Sequence, residues 1–386
     1  MASIKQLDER KFKITVSNGY HPDGRKISKA KTITVPDSVG KRGIRQYVSH
    51  AAEEMERTIK QGFCEDAEMT FEEYSLRWLG RQVKYAVGTI ASYRRMLKVT
   101  YPFIGAIKLN KLRPIALENM LVELRKRSNH GKPVQEATVQ KYLTVVSAVL
   151  SDAKRNEIIQ KNPARMIDLP DTERREQFIP TEEDANRFLN ALLDEPQEYK
   201  IFYVLALYTG CRRGELCALR WHDFIMTDKY RCVLTVSRSR SNVPGLGVQE
   251  GPTKNGRSRT IVIEEDITSL LQGYCCYKTA QAEKIGREVS PYLFADEYGN
   301  FIHPDTFTKH LRRIFKENGF PDSFHLHTLR HYAISSLLHH GVDKQTVAEL
   351  AGHADTSFLE RTYCHPQMEL KNQAATVMTD VLLHSA

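Results

Sequence analysis

The chain has 386 residues, of which 41% are hydrophobic and 27% charged, and a formal net charge of +9 at pH 7. These proportions are ordinary for a soluble globular protein, and the sequence contains no internal repeat or low-complexity tract. The length predicts two or three domains, because a single hydrophobic core stops growing at about 250–300 residues. The positive net charge favours a polyanionic partner.

The positive charge is concentrated in the first part of the chain. Residues 1–165 contain 31 Lys and Arg against 17 Asp and Glu, whereas the rest contains 25 against 30. Because phosphate groups are contacted mainly by Lys and Arg, this distribution predicts that the N-terminal modules grip the polyanion.

Neither secretion nor a membrane location is indicated. The sequence has no apolar run near the ~20 residues of a membrane span, and its first residues contain no apolar signal-peptide segment. The seven cysteines are odd in number and lack the Cys-x-x-Cys spacing of metal sites, so we expect reduced thiols. We therefore expect the protein to remain in the cytoplasm.

The first predicted module is a small sheet braced by one helix. Apolar and polar residues alternate over residues 11–16, and a turn and a second β-prone run at residues 32–35 follow. A helix is predicted over residues 44–59, where the apolar residues share one stripe. Basic residues on the exposed sheet face either contact nucleic acid or only keep an edge strand soluble. These residues are Lys11, Lys13, Arg25, Lys29 and Lys31.

The second predicted module is a helical bundle. Its residues 65–165 contain 18 Lys and Arg against 10 Asp and Glu, which favours contacts to phosphates over at least part of its surface. Residues 166–178 lack periodicity and are predicted to be a linker, after which a helix capped by Thr181 begins. The predicted helices of the bundle span residues 71–85, 89–101, 114–127 and 137–156.

Four short motifs in the last part of the chain bring basic groups together with one tyrosine. Guanidinium groups can neutralise the non-bridging oxygens of a phosphate in bidentate fashion, and a phenol can act as a covalent nucleophile. The set therefore predicts metal-independent chemistry on a phosphodiester. The motifs are Thr209-Gly-Cys-Arg-Arg-Gly-Glu215, Pro252-Thr-Lys-Asn-Gly-Arg-Ser-Arg-Thr260, His327-Thr-Leu-Arg-His331 and Leu350-Ala-Gly-His353, and Tyr363 follows them.

Two of these motifs are predicted to lie at the start of a helix. Arg212 follows an apolar helix over residues 201–208 and a turn, and Glu215 lies three residues further on, where it can share a helical face with Arg212. His327 and Arg330 also share one face, near a helix N-terminus whose exposed N–H groups favour a bound anion.

The lysine motif is predicted to lie in a loop. Lys254 stands between β-prone runs at residues 233–237 and 259–263, in a segment rich in Gly, Ser, Asn and Pro. Such a composition is typical of a mobile hairpin tip.

These motifs, in this order, resemble those of the tyrosine recombinases of the phage integrase family, most of all the integrases of conjugative transposons and prophages. The resemblance runs along nearly the whole chain and implies a multidomain fold. Residues 1–64 would form an α+β arm-binding domain with a three-stranded sheet and one helix, and residues 65–165 an all-α, SAM-like core-binding domain. After the linker, residues 179–386 would form a mainly α-helical catalytic domain with a small β-sheet, the tyrosine recombinase fold.

The resemblance implies a role for each motif residue. Tyr363 would attack the scissile phosphate, and Lys254 would protonate the 5′-oxygen leaving group. The other implied catalytic residues are Arg212, His327, Arg330 and His353, with Glu215 as a supporting acid.

Some neighbouring residues compete for these roles or have other expected ones. Arg213 would point to a different face from Arg212, and His331 is expected to be structural. Arg257 and Arg259 are expected to contact the DNA backbone. For Lys254 and for each histidine the alternative is a solvated or purely structural side chain.

The implied reaction is strand exchange through a 3′-phosphotyrosyl intermediate and a Holliday junction, without ATP or a metal cofactor. It would integrate and excise a mobile element in the bacterial nucleoid. The implied partners are double-stranded DNA with core and arm sites, three further copies of the chain in a homotetramer, and an excisionase or a host DNA-bending protein. The apolar tail at residues 373–383 would dock either on a neighbouring protomer or on its own domain.

Three other functions remain open from the sequence. A type IB topoisomerase shares the Arg, Lys, His and Tyr chemistry but turns over without a partner duplex. A recombinase that resolves chromosome dimers generally begins at the core-binding helices and lacks the arm-like module. A DNA-binding protein with a decayed site would not need every expected catalytic position to be filled. In this sequence every such position is filled.

Overall fold

The structure is a computed structural model in which the chain divides into two compact units, residues 1–174 and 175–386. Tyr363, Arg25 and the apolar tail lie outside the described residues. The described residues are 2–20, 26–60, 68–129, 131–172 and 178–353, together with Thr356 and Leu359.

An antiparallel sheet and one helix begin the first unit. Alternation along the middle strand buries Ile14 and Val16 against Ala52 of the helix. The predicted three-stranded sheet with its helix is therefore present. The elements, with the strands in sheet order, are β1 (Ala2–Asp8), β2 (Lys11–Tyr20), β3 (Lys26–Thr34) and α1 (Ile44–Lys60).

Lys11 and Lys13 lie on the open face of this sheet, as predicted. Both alternate along β2 with the buried Ile14 and Val16, so that they point away from α1. Both side chains are exposed.

Lys29 and Lys31 lie on the opposite face, and the prediction of a single basic face is wrong for them. In the antiparallel register Lys31 stands opposite Ile14, and Lys29 stands opposite Val16. Directly opposed residues of neighbouring strands point to the same side, so these two lysines share the face of the buried residues. They remain exposed, since α1 packs mainly over β1 and β2.

A bundle of four helices follows in the first unit. Thr70 begins it with a capping box, in which its side chain accepts from the N–H of Glu73 and the Glu73 carboxylate accepts from the N–H of Thr70. The first helix ends at Gly80, five residues earlier than predicted, because Gly is a poor helix former. The elements are α2 (Phe71–Gly80), α3 (Val87–Ile104), α4 (Pro114–Lys126), β4 (Ser128–Asn129), β5 (Lys132–Pro133) and α5 (Glu136–Arg155).

The second unit is mainly helical over its described residues. Its helices are α6 (Glu182–Ala191), α7 (Gln197–Thr209), α8 (Arg213–Leu216), α9 (Glu265–Lys284), α10 (Pro304–Glu317), α11 (Leu326–His339) and α12 (Lys344–Ala351). Its strands are β6 (Phe224–Met226), β7 (Cys232–Val236), β8 (Arg238–Val243), β9 (Gly247–Pro252) and β10 (Arg259–Ile263). These strands form two small sheets, in the orders β10-β7-β6 and β8-β9.

One apolar core joins the helices and the larger sheet of the second unit. Phe202 of α7 stacks on Phe307 of α10 with ring centroids 3.8 Å apart, and Leu234 of β7 belongs to the same core. The predicted buried helix before Arg212 is confirmed, as is the Thr181 cap of α6. Among the described residues, each helix is too short or too polar to span a lipid bilayer.

Strands β8 and β9 form a hairpin that the sequence pattern did not predict. Its anchor is Arg240, which is 3% exposed and donates to Glu250 at 2.7 Å and to the Cys217 carbonyl at 3.1 Å. The guanidinium also lies 4.4 Å from the ring centroid of Tyr292 and 4.3 Å from that of Phe301. A buried arginine thus occupies the place where alternation would have required an apolar residue.

Helix α8 packs tightly on β8 at Gly214, where a Cβ atom would lie 2.5 Å from both the Arg240 carbonyl oxygen and Ser239 Oγ. We predict that Gly214→Ala lowers the free energy of unfolding by about 1–3 kcal/mol, the usual cost of overpacking. Urea unfolding of the full chain measures this change. The matched variant Gly251→Ala adds a Cβ with nothing within 4 Å, and it should change stability by less than about 0.5 kcal/mol. Equal effects of the two variants would contradict the close packing.

Candidate active site

Arg212 is held in an extended turn between two helices. Helix α7 ends at Thr209, and Gly210 follows with a φ of 59°, the left-handed conformation that commonly ends a helix. Arg212 directly precedes α8, so it stands at the open N-terminus of that helix. The predicted local structure of this motif is confirmed.

A buried carboxylate orients Arg212. Glu215 is 1% exposed, and its oxygens accept from the backbone N–H of Arg212 at 2.9 Å, from Nη1 of Arg212 at 2.9 Å and from Nη2 of Arg259 at 2.7 Å. Burial acts to raise the pKa of Glu215, but the hydrogen bonds and charges of Arg259 and Arg212 outweigh burial and hold that pKa below its ordinary value. Glu215 is therefore an anion fixed between two cations.

Arg330 enters the site from α11 and is 2% exposed. Its Nη1 donates to the Gly210 carbonyl at 2.6 Å, and its Nη2 donates to the Ala351 carbonyl at 2.6 Å and lies 2.8 Å from His353 Nε2. Burial, followed by the charge of Arg212, lowers the pKa of Arg330 to about 10, so the side chain stays positive at neutral pH.

Three successive carbonyl groups at the end of α12 accept hydrogen bonds from three arginines. The last carbonyls of a helix lack partners within the helix and carry the negative end of its dipole. Guanidinium groups satisfy them here, which gathers the positive charges at one point. The pairs are Arg259 Nε to the Leu350 oxygen at 2.7 Å, Arg330 Nη2 to the Ala351 oxygen at 2.6 Å and Arg212 Nη2 to the Gly352 oxygen at 3.1 Å.

Gly352 is the residue that permits this approach. Its φ of 64° ends α12 in the left-handed conformation. A Cβ atom there would lie 2.9 Å from Nη1 of Arg259 and 3.5 Å from Nη1 of Arg212. A side chain at this position would therefore push the guanidinium groups away.

The loop that carries Lys254 lies at the same end of α12. Asn255 Nδ2 donates to the Gly352 carbonyl at 3.0 Å. Lys254 itself is exposed, and its charge contributes to lowering the pKa of His327. A cleft of about 500 Å³ opens here, and the residues that line it include Arg212, Asn255, Arg257 and His353.

Three imidazoles adjoin the arginines. His353 Nε2 accepts from Arg330, because a guanidinium can only donate, so the neutral ring carries its proton on Nδ1. The rings of His327 and His331 meet edge to face with centroids 4.6 Å apart. Desolvation first, and then neighbouring positive charge, lowers the pKa of each of the three to about 4, although His327 keeps one side open to solvent. All three rings are therefore neutral at pH 7.

Two residues near the motifs have structural partners instead. His325, which matched no motif, caps α11, where its Nδ1 accepts from the N–H of Thr328 at 3.2 Å. Arg213 points away from Arg212 and donates to Asp305 and to Thr308, each at 2.9 Å. This geometry supports Arg212 rather than Arg213 as the phosphate ligand.

Arg259 does not occupy the exposed position expected of a DNA-backbone contact, whereas Arg257 does. Arg257 is exposed at the cleft. Arg259 is 8% exposed, and its donors are directed at internal partners. The sequence contained the signal, because Arg259 lies two and four residues before the buried Ile261 and Ile263 of β10. Residues at this spacing share one face of a strand, so Arg259 falls on the inner face.

Two family models match this chain. One describes the phage integrase family and covers residues 180–369, and the other describes the phage integrase SAM-like domain and covers residues 47–169. The chain belongs to the phage integrase family. The first match spans every candidate residue from Arg212 to Tyr363, and the predicted resemblance and fold class are confirmed.

The relatives within the phage integrase family are distant. The ICEBs1 integrase of Bacillus subtilis is 26% identical over 250 residues, which cover 64% of this chain and 66% of that one. The Tn1549 transposon integrase in complex with a circular intermediate DNA has a TM-score of 0.68 at 17% identity, covering 80% of this chain and 99% of that one. A lambda integrase tetramer bound to a Holliday junction has a TM-score of 0.53 at 15% identity, covering 92% of this chain and 96% of that one. At such identities the structures show a shared fold.

We predict that His353 of the DNA-free protein titrates near pH 4 and not near its ordinary value of about 6.5, because burial and then the charges of Arg330 and Arg212 oppose protonation. Imidazole NMR, with His353→Gln assigning the signal, measures this pKa. Since the unfolded chain binds the extra proton at higher pH, the contribution of His353 to stability falls as pH drops from about 6.5 towards 4.

The same titration in urea-unfolded protein is the control, since every imidazole should there titrate near its ordinary value. A His353 signal in the folded protein that titrates at or above that value contradicts the arrangement of the arginines around the ring.

Proposed function

We propose that this protein is a site-specific DNA recombinase of the integrase type, which cleaves and rejoins DNA through Tyr363 without a metal ion. The proposal rests above all on one feature, the gathering of Arg212 and Arg330 at the end of α12, where both donate to successive carbonyl groups. Both guanidinium groups are already oriented without DNA, by Glu215 and by the end of α12. Such preorganised donors stabilise developing negative charge at no further cost during the reaction.

Cleavage is a displacement at phosphorus. The phenolic oxygen of Tyr363 forms a bond to the scissile phosphorus, and the bond from phosphorus to the 5′-oxygen breaks. Arg212 and Arg330 neutralise the non-bridging oxygens as negative charge accumulates on them. The product is a 3′-phosphotyrosyl bond and a free 5′-hydroxyl.

Two proton transfers accompany this displacement. The departing 5′-oxygen needs a proton, which Lys254 supplies from its exposed position on the loop. The phenol must lose a proton, and we propose that the neutral imidazole of His327 accepts it when the negative phosphate offsets the cations that lower its pKa. We propose that His353 also donates a hydrogen bond to a phosphate oxygen.

Rejoining is the reverse reaction with another strand. The 5′-hydroxyl of a partner strand attacks the phosphotyrosine, so the energy of the broken bond is retained and no ATP is required. We propose that four copies carry out two such exchanges through a Holliday junction. The lambda integrase tetramer, which shares the fold and is bound to a Holliday junction, supports this assembly.

The first unit serves DNA binding in this proposal. Lys11 and Lys13 on the open sheet face contact arm-type sites. In the second unit, Arg257 contacts the DNA backbone near the cleft. Lys29 and Lys31 contribute from the other face of the sheet. Arg25, which lies outside the described residues, is proposed as a further DNA contact. An excisionase or a host DNA-bending protein would set direction, and the reaction would take place in the bacterial nucleoid.

A mobile element is the proposed substrate, and two other substrates are less well supported. The named relatives include a transposon integrase and the ICEBs1 integrase. A recombinase that resolves chromosome dimers would not need the N-terminal sheet with its basic face. A type IB topoisomerase would relax supercoiled DNA alone, and relaxation without strand exchange between two duplexes would favour it.

We predict that Tyr363→Phe abolishes covalent adduct formation and leaves DNA binding intact, since the variant lacks only the nucleophilic oxygen. The assay uses a duplex that carries its attachment site and a nick beside the scissile phosphate, so that the cleaved end diffuses away and the adduct accumulates. Denaturing electrophoresis measures the adduct, and a gel shift measures binding. The reaction is run in EDTA, which the wild-type protein should tolerate.

Tyr332→Phe is the matched control, because Tyr332 lies in α11 next to the motif residues and is not a proposed nucleophile. It should still form the adduct. An adduct that survives Tyr363→Phe would show that another residue is the nucleophile.

We predict that Lys254→Ala lowers cleavage on the order of 100-fold or more on ordinary DNA, because the 5′-alkoxide then leaves without a proton. A substrate with a bridging 5′-sulfur should restore most of the rate, since a thiolate leaves unaided. Rates of adduct formation on the two substrates measure this rescue. Arg330→Ala is the control and should not be rescued by sulfur. Equal defects of Lys254→Ala on both substrates would rule out the role of general acid.

A further inference from the structure

Arg259 has no role in the proposed function, yet it lies at the centre of the arginine cluster. Its Nη2 lies 2.7 Å from Glu215 and 3.2 Å from the sulfur of Cys211, and its Nε donates to the Leu350 carbonyl at 2.7 Å. Its Nη1 lies against Gly352. One side chain thus contacts the segment that holds Arg212 and the end of α12.

Arg259 lines the cleft beside Arg212, but most of its side chain is packed in the interior. The side chain is 5% exposed, and its Nε and Nη2 are used for internal hydrogen bonds. Through those bonds Arg259 acts on Glu215 and on the end of α12.

The neighbour that matters most is Glu215, whose two oxygens are divided between two arginines. Oε1 accepts from Nη1 of Arg212, and Oε2 accepts from Nη2 of Arg259 as well as from the backbone of Arg212. A carboxylate held at both oxygens cannot rotate. Without Arg259, Oε2 would keep only one of its two hydrogen bonds, and the carboxylate that aims Arg212 would be held less firmly.

Arg259 also connects the lysine loop to the histidine segment. It is the first residue of β10 and lies five residues after Lys254. Through the Leu350 carbonyl it holds the last turn of α12, which His353 follows. Arg259 therefore lies between the segments that carry the general acid, the first arginine and His353.

We propose that Arg259 is a positioning residue for strand cleavage, which locks Glu215 so that Arg212 is aimed at the scissile phosphate. The inference rests on the proposed function and adds a residue to its machinery. Displacement of a catalytic group by about 1 Å can cost on the order of 100-fold in rate. Arg259→Gln should accordingly lower cleavage by about 10- to 100-fold at saturating DNA.

The test compares two nicked substrates, one with the natural phosphate at the scissile position and one with a neutral methylphosphonate. The methylphosphonate has lost the charge that Arg212 neutralises, so it depends less on the aim of Arg212. Arg259→Gln should therefore lose much more activity on the phosphate than on the methylphosphonate. Since the defect acts through Arg212, adding Arg259→Gln to Arg212→Ala should cause little further loss.

Lys278→Gln is the matched control. Lys278 is a buried cation of the same unit that is bound to Glu198 at 3.2 Å, to Gln281 at 2.9 Å and to the Ala295 carbonyl at 3.0 Å, away from the cleft. Its loss destabilises the unit without moving Arg212, so both substrates should be affected in the same proportion. If Arg259→Gln does not fold, as judged by circular dichroism, Arg259→Lys provides the same comparison of substrates.

Three results would overturn the inference while leaving the proposed function intact. The first is a loss by Arg259→Gln that is equal on both substrates, as for Lys278→Gln. The second is a full additional loss in the Arg212→Ala background. The third is a defect confined to DNA affinity, which would return Arg259 to the role of a backbone contact. A wild-type protein that forms no adduct on the phosphate substrate would instead refute the proposed function.

Discussion

The accumulation of like charges at the end of one helix is the constraint on which the second unit depends. Arg212, Arg259 and Arg330 all donate to the last carbonyls of α12, and Arg212 and Arg259 also share the carboxylate of Glu215. Three cations and one anion leave a surplus of two positive charges. A phosphodiester carries one negative charge, and the pentavalent species formed by attack on it carries two. The cluster is therefore better matched to the transition state than to the bound substrate, which is the condition for catalysis.

Holding this surplus in the folded protein has an energetic cost that the surroundings offset. Buried guanidinium groups lose hydration and repel each other, as the lowered pKa of Arg330 shows. Cys211 does not supply a second anion, because burial raises the pKa of its thiol and keeps it neutral. The offset comes from Glu215 and from helix carbonyls that would otherwise lack partners. Fixed dipoles of this kind neutralise only part of the positive charge of the guanidinium groups, and the remaining positive charge stays available to DNA.

The sequence predicted most of the helices and the local structure around Arg212 well, because each depended on local pattern. The apolar run before Gly210 predicted both α7 and the place of Arg212. Features that depend on pairing between distant segments were not predicted. The face of Lys31 is set by the register of β3 against β2, which the pattern of either strand alone does not define. The burial of Arg259 was not predicted, because its charge was given more weight than its inward position in β10, and only the fold brings Glu215 to pair with it.

The central claim is that Arg212 and Arg330 are held so that both bind the same reacting phosphate. The most direct measurement is a crystal structure of the protein with cleaved DNA ends and vanadate, which mimics the pentavalent phosphorus. The account predicts a vanadium centre bonded to the oxygen of Tyr363, with both guanidinium groups within about 2.7–3.1 Å of its equatorial oxygens and the hydrogen bonds of Glu215 unchanged. A vanadate that is bound by only one of the two arginines, or with Tyr363 distant from it, would contradict the account.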